Sequence, residues 1–213
     1  LCTNGGALLS EDNKTCLLDS PEAIETLEFI MELHKYAAPG SVSRHWDESG
    51  AILGQGVIAT DIIINSQASN LYNPEKSNFV DELLFAPIPY KKNHGSISNT
   101  WGGAIMSNSK NKEAAFIALQ YLTMPDLSKS MVTDVSGTTP VRMSLLEDQA
   151  LIAEIPALKV EAEVIDACVS KPKVDTMAAI TTIVASEIQN AINGVKTAEQ
   201  AMKDAKALVE AEL

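Results

Sequence analysis

The chain has 213 residues, 46% of them hydrophobic and 21% charged. That is the balance of a globular domain with a real core, which excludes wholesale disorder. At ~100–200 residues per domain the length fits one large domain or two small ones. The formal charge of −12 repels phosphate backbones and anionic lipid faces, so a general nucleic-acid binder is excluded. No apolar run approaches the ~18 residues that span a bilayer.

Leu1 is not an initiator Met, and no basic segment followed by an apolar one opens the chain. Leu1-Cys2 resembles the end of a lipoprotein cleavage box without the apolar stretch that precedes one. The expectation is that Leu1 marks a break inside a longer protein, a trimmed chain being the alternative. Cys2, Cys16 and Cys168 show no C-x-x-C spacing, so neither a zinc knuckle nor a thioredoxin-like motif is present. Cys2 and Cys16 can close a short loop in an oxidising compartment, and Cys168 reads as packing on an apolar helical face.

In chain order, residues 3–18 read as loop and turn, with Asn4-Gly5-Gly6 and Glu11-Asp12-Asn13-Lys14 as the signals. Asp19-Ser20-Pro21-Glu22 starts a helix: a capping side chain, a proline suited to the first turn and an acid for the positive helix end. Ile24, Leu27, Ile30, Met31 and His34 keep its period until Pro39-Gly40. A shorter helix runs from Asp47 to about Gln55 and ends at Gly56. The β-branched run 57–64 predicts a strand covered on both faces. Residues 83–89 predict a second strand and 104–106 a third, entered through Gly102-Gly103. Helices follow: a stripe of Ala114, Ala115, Ile117, Ala118, Tyr121 and Leu122, a short helix opened by Pro125, then 154–169 and 176–193, the last closed by Asn193-Gly194. Thr197 with Gln200 three residues later is a capping box for a final helix burying Ala201, Met202, Ala205, Leu208 and Val209. Strands alternating with helices make the class α/β, weighted towards helix.

The motifs of several enzyme classes are missing: no G-x-S-x-G elbow, no P-loop, no H-E-x-x-H. Gly54-Gln55-Gly56 reads as a helix C-cap. His34, His45 and His94 are scattered, and the carboxylates fall on solvated faces, so catalysis is not supported and neither metal nor cofactor is expected. Trp101 draws attention instead. It stands in Ser98-Asn99-Thr100-Trp101-Gly102-Gly103, in a chain with only 5% aromatic residues. An indole face stacks on a pyranose while neighbouring polar groups bond its hydroxyls, and glycines let backbone approach a ligand. A Trp plugging the core edge is the alternative. Trp46, in Arg44-His45-Trp46-Asp47-Glu48, reads either as a second such platform or as a staple for the helix that follows. Asn65-Ser66-Gln67, past the end of the predicted strand, offers polar groups where α/β folds bind ligands, or is a plain turn.

Several segments together resemble a known family. Asn4-Gly5-Gly6, Asp19-Ser20-Pro21-Glu22-Ala23, Trp46-Asp47-Glu48, Gln55-Gly56, Trp101-Gly102-Gly103-Ala104-Ile105, the run from Ser107 to Ala115 and Thr139-Pro140-Val141-Arg142-Met143-Ser144 look like the second half of an extracellular solute-binding protein of family 1, the maltose-binding-protein-like sugar receptors of ABC importers. The resemblance implies a periplasmic-binding-protein-like type II α/β fold of two lobes, truncated at the N-terminus. It assigns 1–97 to the C-terminal lobe, 98–150 to the hinge crossing and a returning segment of the N-terminal lobe, and 151–213 to helices closing the C-terminal lobe.

The same resemblance implies a periplasmic or extracellular, non-enzymatic receptor, with a lipid anchor on a missing N-terminus as an option. Its partners are a mono- or oligosaccharide and the membrane permease, with no nucleic acid, and the full-length protein is expected to be a monomer. Carried over by position, the ligand contacts are Trp101, Gly102, Gly103, Asn65, Gln67 and Arg142, the last reading equally as half of a structural salt bridge; Trp46 joins them on its local reading, and no residue is catalytic. Some relatives place a stacking aromatic residue within the segment matching 175–182, where this chain has none. The alternatives are another solute (a polyamine, a peptide or an anion), for which Asp61 and Asp175 would favour a cation, and a hydrolase with a loop-borne acidic pair.

Overall fold

The computed structural model describes residues 1–99, 102–134 and 139–213, the side chain of Asp134 aside. Among them the elements run α1 (Pro21–His34), α2 (Trp46–Gly54), α3 (Ala68–Leu71), β1 (Ile97–Ser98), α4 (Lys112–Leu122), α5 (Pro125–Asp134), α6 (Met143–Leu146), α7 (Gln149–Glu154), α8 (Ala157–Val164), β2 (Val169–Ser170), α9 (Met177–Ile192) and α10 (Ala198–Glu210). No helix among these residues is long and apolar enough to cross a membrane. The chain divides into two units, both discontinuous in sequence. Unit 1 is Leu1–Ser43, Ile88–Ser98 and Asp166–Leu213; unit 2 is Arg44–Pro87 and Asn99–Ile165.

Unit 1 is held by α1, α9 and α10. Ser20 caps α1, its hydroxyl accepting from the Ala23 N–H at 3.3 Å, and Thr197 caps α10 through the Gln200 N–H at 3.2 Å. Both caps use a side-chain oxygen to satisfy a helix N–H that has no intrahelical partner. The buried face of α10 is Ala198, Ala201, Met202, Ala205 and Val209. Leu208, expected there, is exposed. The alanines let α10 lie close on α9, and with Leu9, Cys16, Leu18, Ala23, Leu27 and Ile180 they make one core. An antiparallel bridge, Leu9 to Cys16, turns at Asn13, which takes a positive φ of 57°, a conformation asparagine tolerates. α9 ends at Asn193-Gly194 with Gly194 at φ +73°, as its sequence predicts.

Charged groups tie the unit's distant segments together. Lys206 meets Asp19 at 2.9 Å, Lys92 meets Glu22 at 2.8 Å, and Lys91 meets Glu25. Lys196 bridges the buried Glu187 at 2.6 Å and Asp204 at 2.8 Å. The only ladder among the described residues is parallel, Ile97 with Val169 and Ser98 with Ser170. Beside it Gly95 packs so closely that a Cβ would fall on the Ala167 carbonyl. Cys168 is half-buried between a 3-10 turn and β2, not on a helix. No disulfide joins Cys2, Cys16 and Cys168, so the short loop expected between Cys2 and Cys16 is not closed, and burial pushes the Cys16 thiol up.

Unit 2 has a smaller core of Val132, Leu145, Leu146, Leu151, Ile155 and Leu158, with Tyr72 against it. Burial pushes the Tyr72 phenol up to about 12. The helix expected over 154–169 is two helices, α7 and α8. Pro156 lacks the N–H that a continuous helix needs and moves Ile155 out of helical dihedrals, to φ −129°, ψ 81°.

The three predicted strands are not strands. Residues 57–64, 83–89 and 104–106 carry no ladder among the described residues. A run of β-branched residues becomes a strand only when a neighbour takes up its backbone groups. None of their side chains is fully buried, and Ile62 is 68% and Leu84 95% exposed. The apolar stripe of α4 likewise buries none of its residues.

Candidate functional site

Helix α2 begins at Trp46, one residue before the expected Asp47. Its cap is His45, in an extended conformation, whose N–H donates to Glu48 Oε2 at 3.2 Å. The imidazole Nδ1 lies 2.6 Å from Asp47 Oδ1, which also accepts the Glu48 N–H at 3.0 Å. The His45 hydrogen bond holds the Asp47 carboxyl below the usual carboxylate range. Trp46 is therefore the first helical residue, not one ahead of the cap, so it does not act as a staple. Its indole is 47% exposed and tilted against the His45 ring at 5.0 Å. An aromatic face held beside a carboxylate is a combination suited to a polyhydroxylated ligand.

Past residues 57–64, Asn65–Gln67 form a 3-10 turn that feeds α3. Asn65 accepts the Ser66 N–H at 3.0 Å, and its side chain hydrogen-bonds the carboxyl of Glu161 on α8. Burial pushes that carboxyl up, against the opposing pull of the Asn65 bond. Asn65, Ser69, Thr139 and Glu161 line part of a cavity of ≈ 10 Å³, about the room one water needs. Gln67 is turned inward and buried. Its Oε1 accepts from Asn70 Nδ2 at 3.0 Å and faces Gly50.

Trp101, with Thr100, lies outside the described residues. Gly102 is exposed, with open space where a Cβ would stand, whereas a Cβ on Gly103 would strike the Leu119 side chain of α4. Gly103 thus serves close packing, and Gly102 leaves room for an approaching group. Arg142 donates through Nη2 at 2.7 Å and Nε at 3.3 Å to the Thr123 carbonyl at the end of α4, where a cation complements the helix dipole. Beside α4 runs an open groove of ≈ 750 Å³ lined mainly by Ile105, Met106, Lys112, Glu113, Phe116 and Ile117.

The structure thus joins Asn65 to Glu161 and Arg142 to Thr123. No hydrogen bond or ring contact among the described residues links Trp46, Gln67 and Arg142 to one another. Glu161 and the groove were not predicted. Glu161 lies far along the chain from Asn65 with no local motif, and the α4 stripe reads as core in sequence. Among the described residues no group of three or more His, Cys, Asp or Glu side chains is arranged to hold a metal ion.

Residues 3–127 match the model of the bacterial extracellular solute-binding protein family. The chain belongs to that family. A solved solute-binding protein from Thermotoga lettingae, bound with α-D-tagatose, is 26% identical and superposes with a TM-score of 0.87 over 99% of this chain and 54% of its own. A second, from Agrobacterium radiobacter in complex with ribitol, is 23% identical with a TM-score of 0.86, over 100% of this chain and 54% of its own, and it shows the fold alone. A curated relative of Sinorhizobium fredii, named a probable amino-acid ABC transporter periplasmic-binding protein, is 25% identical over 90% of this chain and 43% of its own length. This solute-binding protein therefore has the periplasmic-binding α/β fold, and the chain spans about half the length of the relatives it matches.

Proposed function

We propose that this chain is the C-terminal half of the substrate-binding component of an ABC importer, which takes a carbohydrate or polyol in a cleft between two lobes and hands it to a membrane permease without chemical change. The observation that carries the reading is family membership together with the likeness to the tagatose-bound Thermotoga protein. In this reading the protein works outside the cytoplasmic membrane as a monomer, optionally lipid-anchored. Residues 1–97 and 151–213 belong to the C-terminal lobe, and 98–150 hold the hinge crossing and the return to the N-terminal lobe. Trp101 is the stacking platform and Trp46 a second aromatic face. Asn65, Gly102 and Gly103 line the approach, and Gln67 and Arg142 reach the ligand only if they leave their present partners. Closure follows from tighter binding to one of two lobe arrangements, and the permease reads that difference.

A second reading, an amino acid or another charged solute, is favoured by the name of the Sinorhizobium relative. A thermal-shift and indole-fluorescence screen of tagatose, ribitol, oligosaccharides, amino acids and polyamines, on the native protein and on Trp101→Ala, decides between them. A ligand at 100 times its dissociation constant stabilises by about 2.7 kcal/mol, well above detection. A carbohydrate or polyol that raises Tm and shifts indole emission, both weakened in Trp101→Ala, supports the first reading. A response to amino acids or polyamines alone replaces it, and no response to any solute overturns both.

A further inference from the structure

The chain holds two Asn-Gly pairs, Asn4-Gly5 and Asn193-Gly194, and the fold treats them differently. In such a pair the backbone nitrogen reaches the preceding side-chain amide readily, because glycine brings no Cβ to crowd the approach. Asn4 is held. Its Nδ2 donates to the Glu22 carbonyl at 3.1 Å, to Glu25 Oε2 at 3.1 Å and to Thr26 Oγ1 at 3.3 Å, and its Oδ1 is buried. A Cβ on Gly5 would strike the Lys92 side chain at 2.7 Å, so that glycine is covered as well. Asn193 is exposed, and its side chain makes no hydrogen bond among the described residues. Nothing lies within 4 Å of where a Cβ on Gly194 would stand, and Val195 beyond it is 70% exposed.

We propose that Asn193 is a site of spontaneous deamidation whose products loosen the turn between α9 and α10, and that the fold shields Asn4 from the same reaction. The Gly194 nitrogen attacks Asn193 Cγ and closes a cyclic imide. The Gly194 amide proton passes through solvent to the departing side-chain nitrogen, which leaves as ammonia. Water then opens the imide: breaking the bond to Cγ gives aspartate, and breaking the bond to the main-chain carbonyl gives isoaspartate. Before the attack the Gly194 N–H has to leave the Ala191 carbonyl, 2.9 Å away, which fraying at a helix end allows. Val195 N–H meets the Asn190 carbonyl at 2.9 Å, so both bonds of a Schellman-type helix end are at stake. Either product puts a carboxylate at the negative end of α9. It stands three residues before Lys196, which already serves Glu187 at 2.6 Å and Asp204 at 2.8 Å. Isoaspartate also adds a methylene to the main chain, which moves the Gly194 and Val195 N–H groups off their acceptors.

The test incubates the native protein as its cells make it in warm, mildly alkaline buffer. Proteolytic peptides are followed by mass spectrometry, with electron-transfer fragmentation to separate aspartate from isoaspartate. The Asn193 peptide should convert at least ~10-fold faster than the Asn4 peptide, since at Asn4 hydrogen bonds and burial have to be undone first. In urea the two should convert at similar rates, both being followed by glycine. The aged protein should melt about 1–4 °C lower. Asn193→Gln, whose longer side chain closes a ring far more slowly, should hold its Tm over the same interval. Equal conversion at the two sites in the native protein overturns the proposal. So does a difference that persists in urea, since its cause is then local sequence and not the fold. Complete conversion at Asn193 with an unchanged Tm, or an equal fall in Tm for Asn193→Gln, overturns the effect assigned to the turn. None of these outcomes depends on the identity of a solute.

Discussion

Unit 1 and unit 2 are built from similar amounts of helix, yet they treat apolar side chains differently. In unit 1, α10 turns five residues inward into a core shared with α1 and α9, while lysines at 91, 92, 196 and 206 tie the periphery. In unit 2, α6, α7 and α8 close a small cluster, but α4 buries nothing and the three runs expected as strands lie without a ladder among the described residues. Fully burying a Phe or Ile side chain is worth about 1.5–3 kcal/mol, so Phe116 and Ile117 forgo much of that gain. Unit 1 shows a fold whose interior is settled within itself, and unit 2 one whose interior is partly a surface.

The largest effect that sharpens this contrast is expected from Ile180→Ala. Ile180 is wholly buried in unit 1, and its truncation should cost about 2–5 kcal/mol in denaturant unfolding. In the 213-residue chain Ile117→Ala should stay within about 0.5 kcal/mol. Equal costs for the two would break the comparison, since α4 would then be packed. The caps give a smaller contrast. Thr197→Ala removes a side-chain cap from α10 and should cost about 1 kcal/mol. Asn111, at the start of α4, makes no side-chain cap bond, so Asn111→Ala should leave the unfolding midpoint nearly unchanged.

Glu161→Gln gives the smallest effect, and one that depends on pH. The Glu161 carboxyl is raised above its ordinary value of 4.5 by burial, so folding favours its protonated form. The parent therefore loses stability as pH rises from about 4.5 through the folded value, and the loss is complete above it. The glutamine variant does not titrate there. It should melt higher than the parent near pH 7, relative to their difference below pH 4.5, in thermal scans across that range. A variant whose difference from the parent is the same at every pH would show that Asn65 and the cavity do not hold a strained carboxyl.

What the sequence made legible follows the same divide. Ser20, Pro21, Thr197 and Asn193-Gly194 are local signals, each acting within a few residues of itself, and α1, α9 and α10 appear where they point. A strand is a relation between two segments, so Val57 to Ile64 announces a readiness to pair without naming a partner. The α7–α8 break was legible in Pro156 but was masked by an apolar period that continues across it. At the candidate site, Trp46 and Asn65 stand accessible as their residue types suggest. The inward turn of Gln67 depends on Asn70 and Gly50, and the Glu161 contact on α8 folding back towards Asn65, neither of which is written into a motif.

The interleaved chain path also sets an order of events during synthesis. The salt bridge between Asp19 and Lys206 joins residues 187 apart in sequence, and the core of unit 1 lacks two of its three main helices until the last stretch, Asp166–Leu213, has emerged. At ~5–20 residues per second a ribosome needs roughly 10–40 s to span that interval. Throughout it Leu27 and its neighbours on α1 wait for a cover, while α5 to α8 can already meet one another. The better-packed unit is thus the later one to finish, and a nascent chain released before α9 would leave α1 with nothing to fold against.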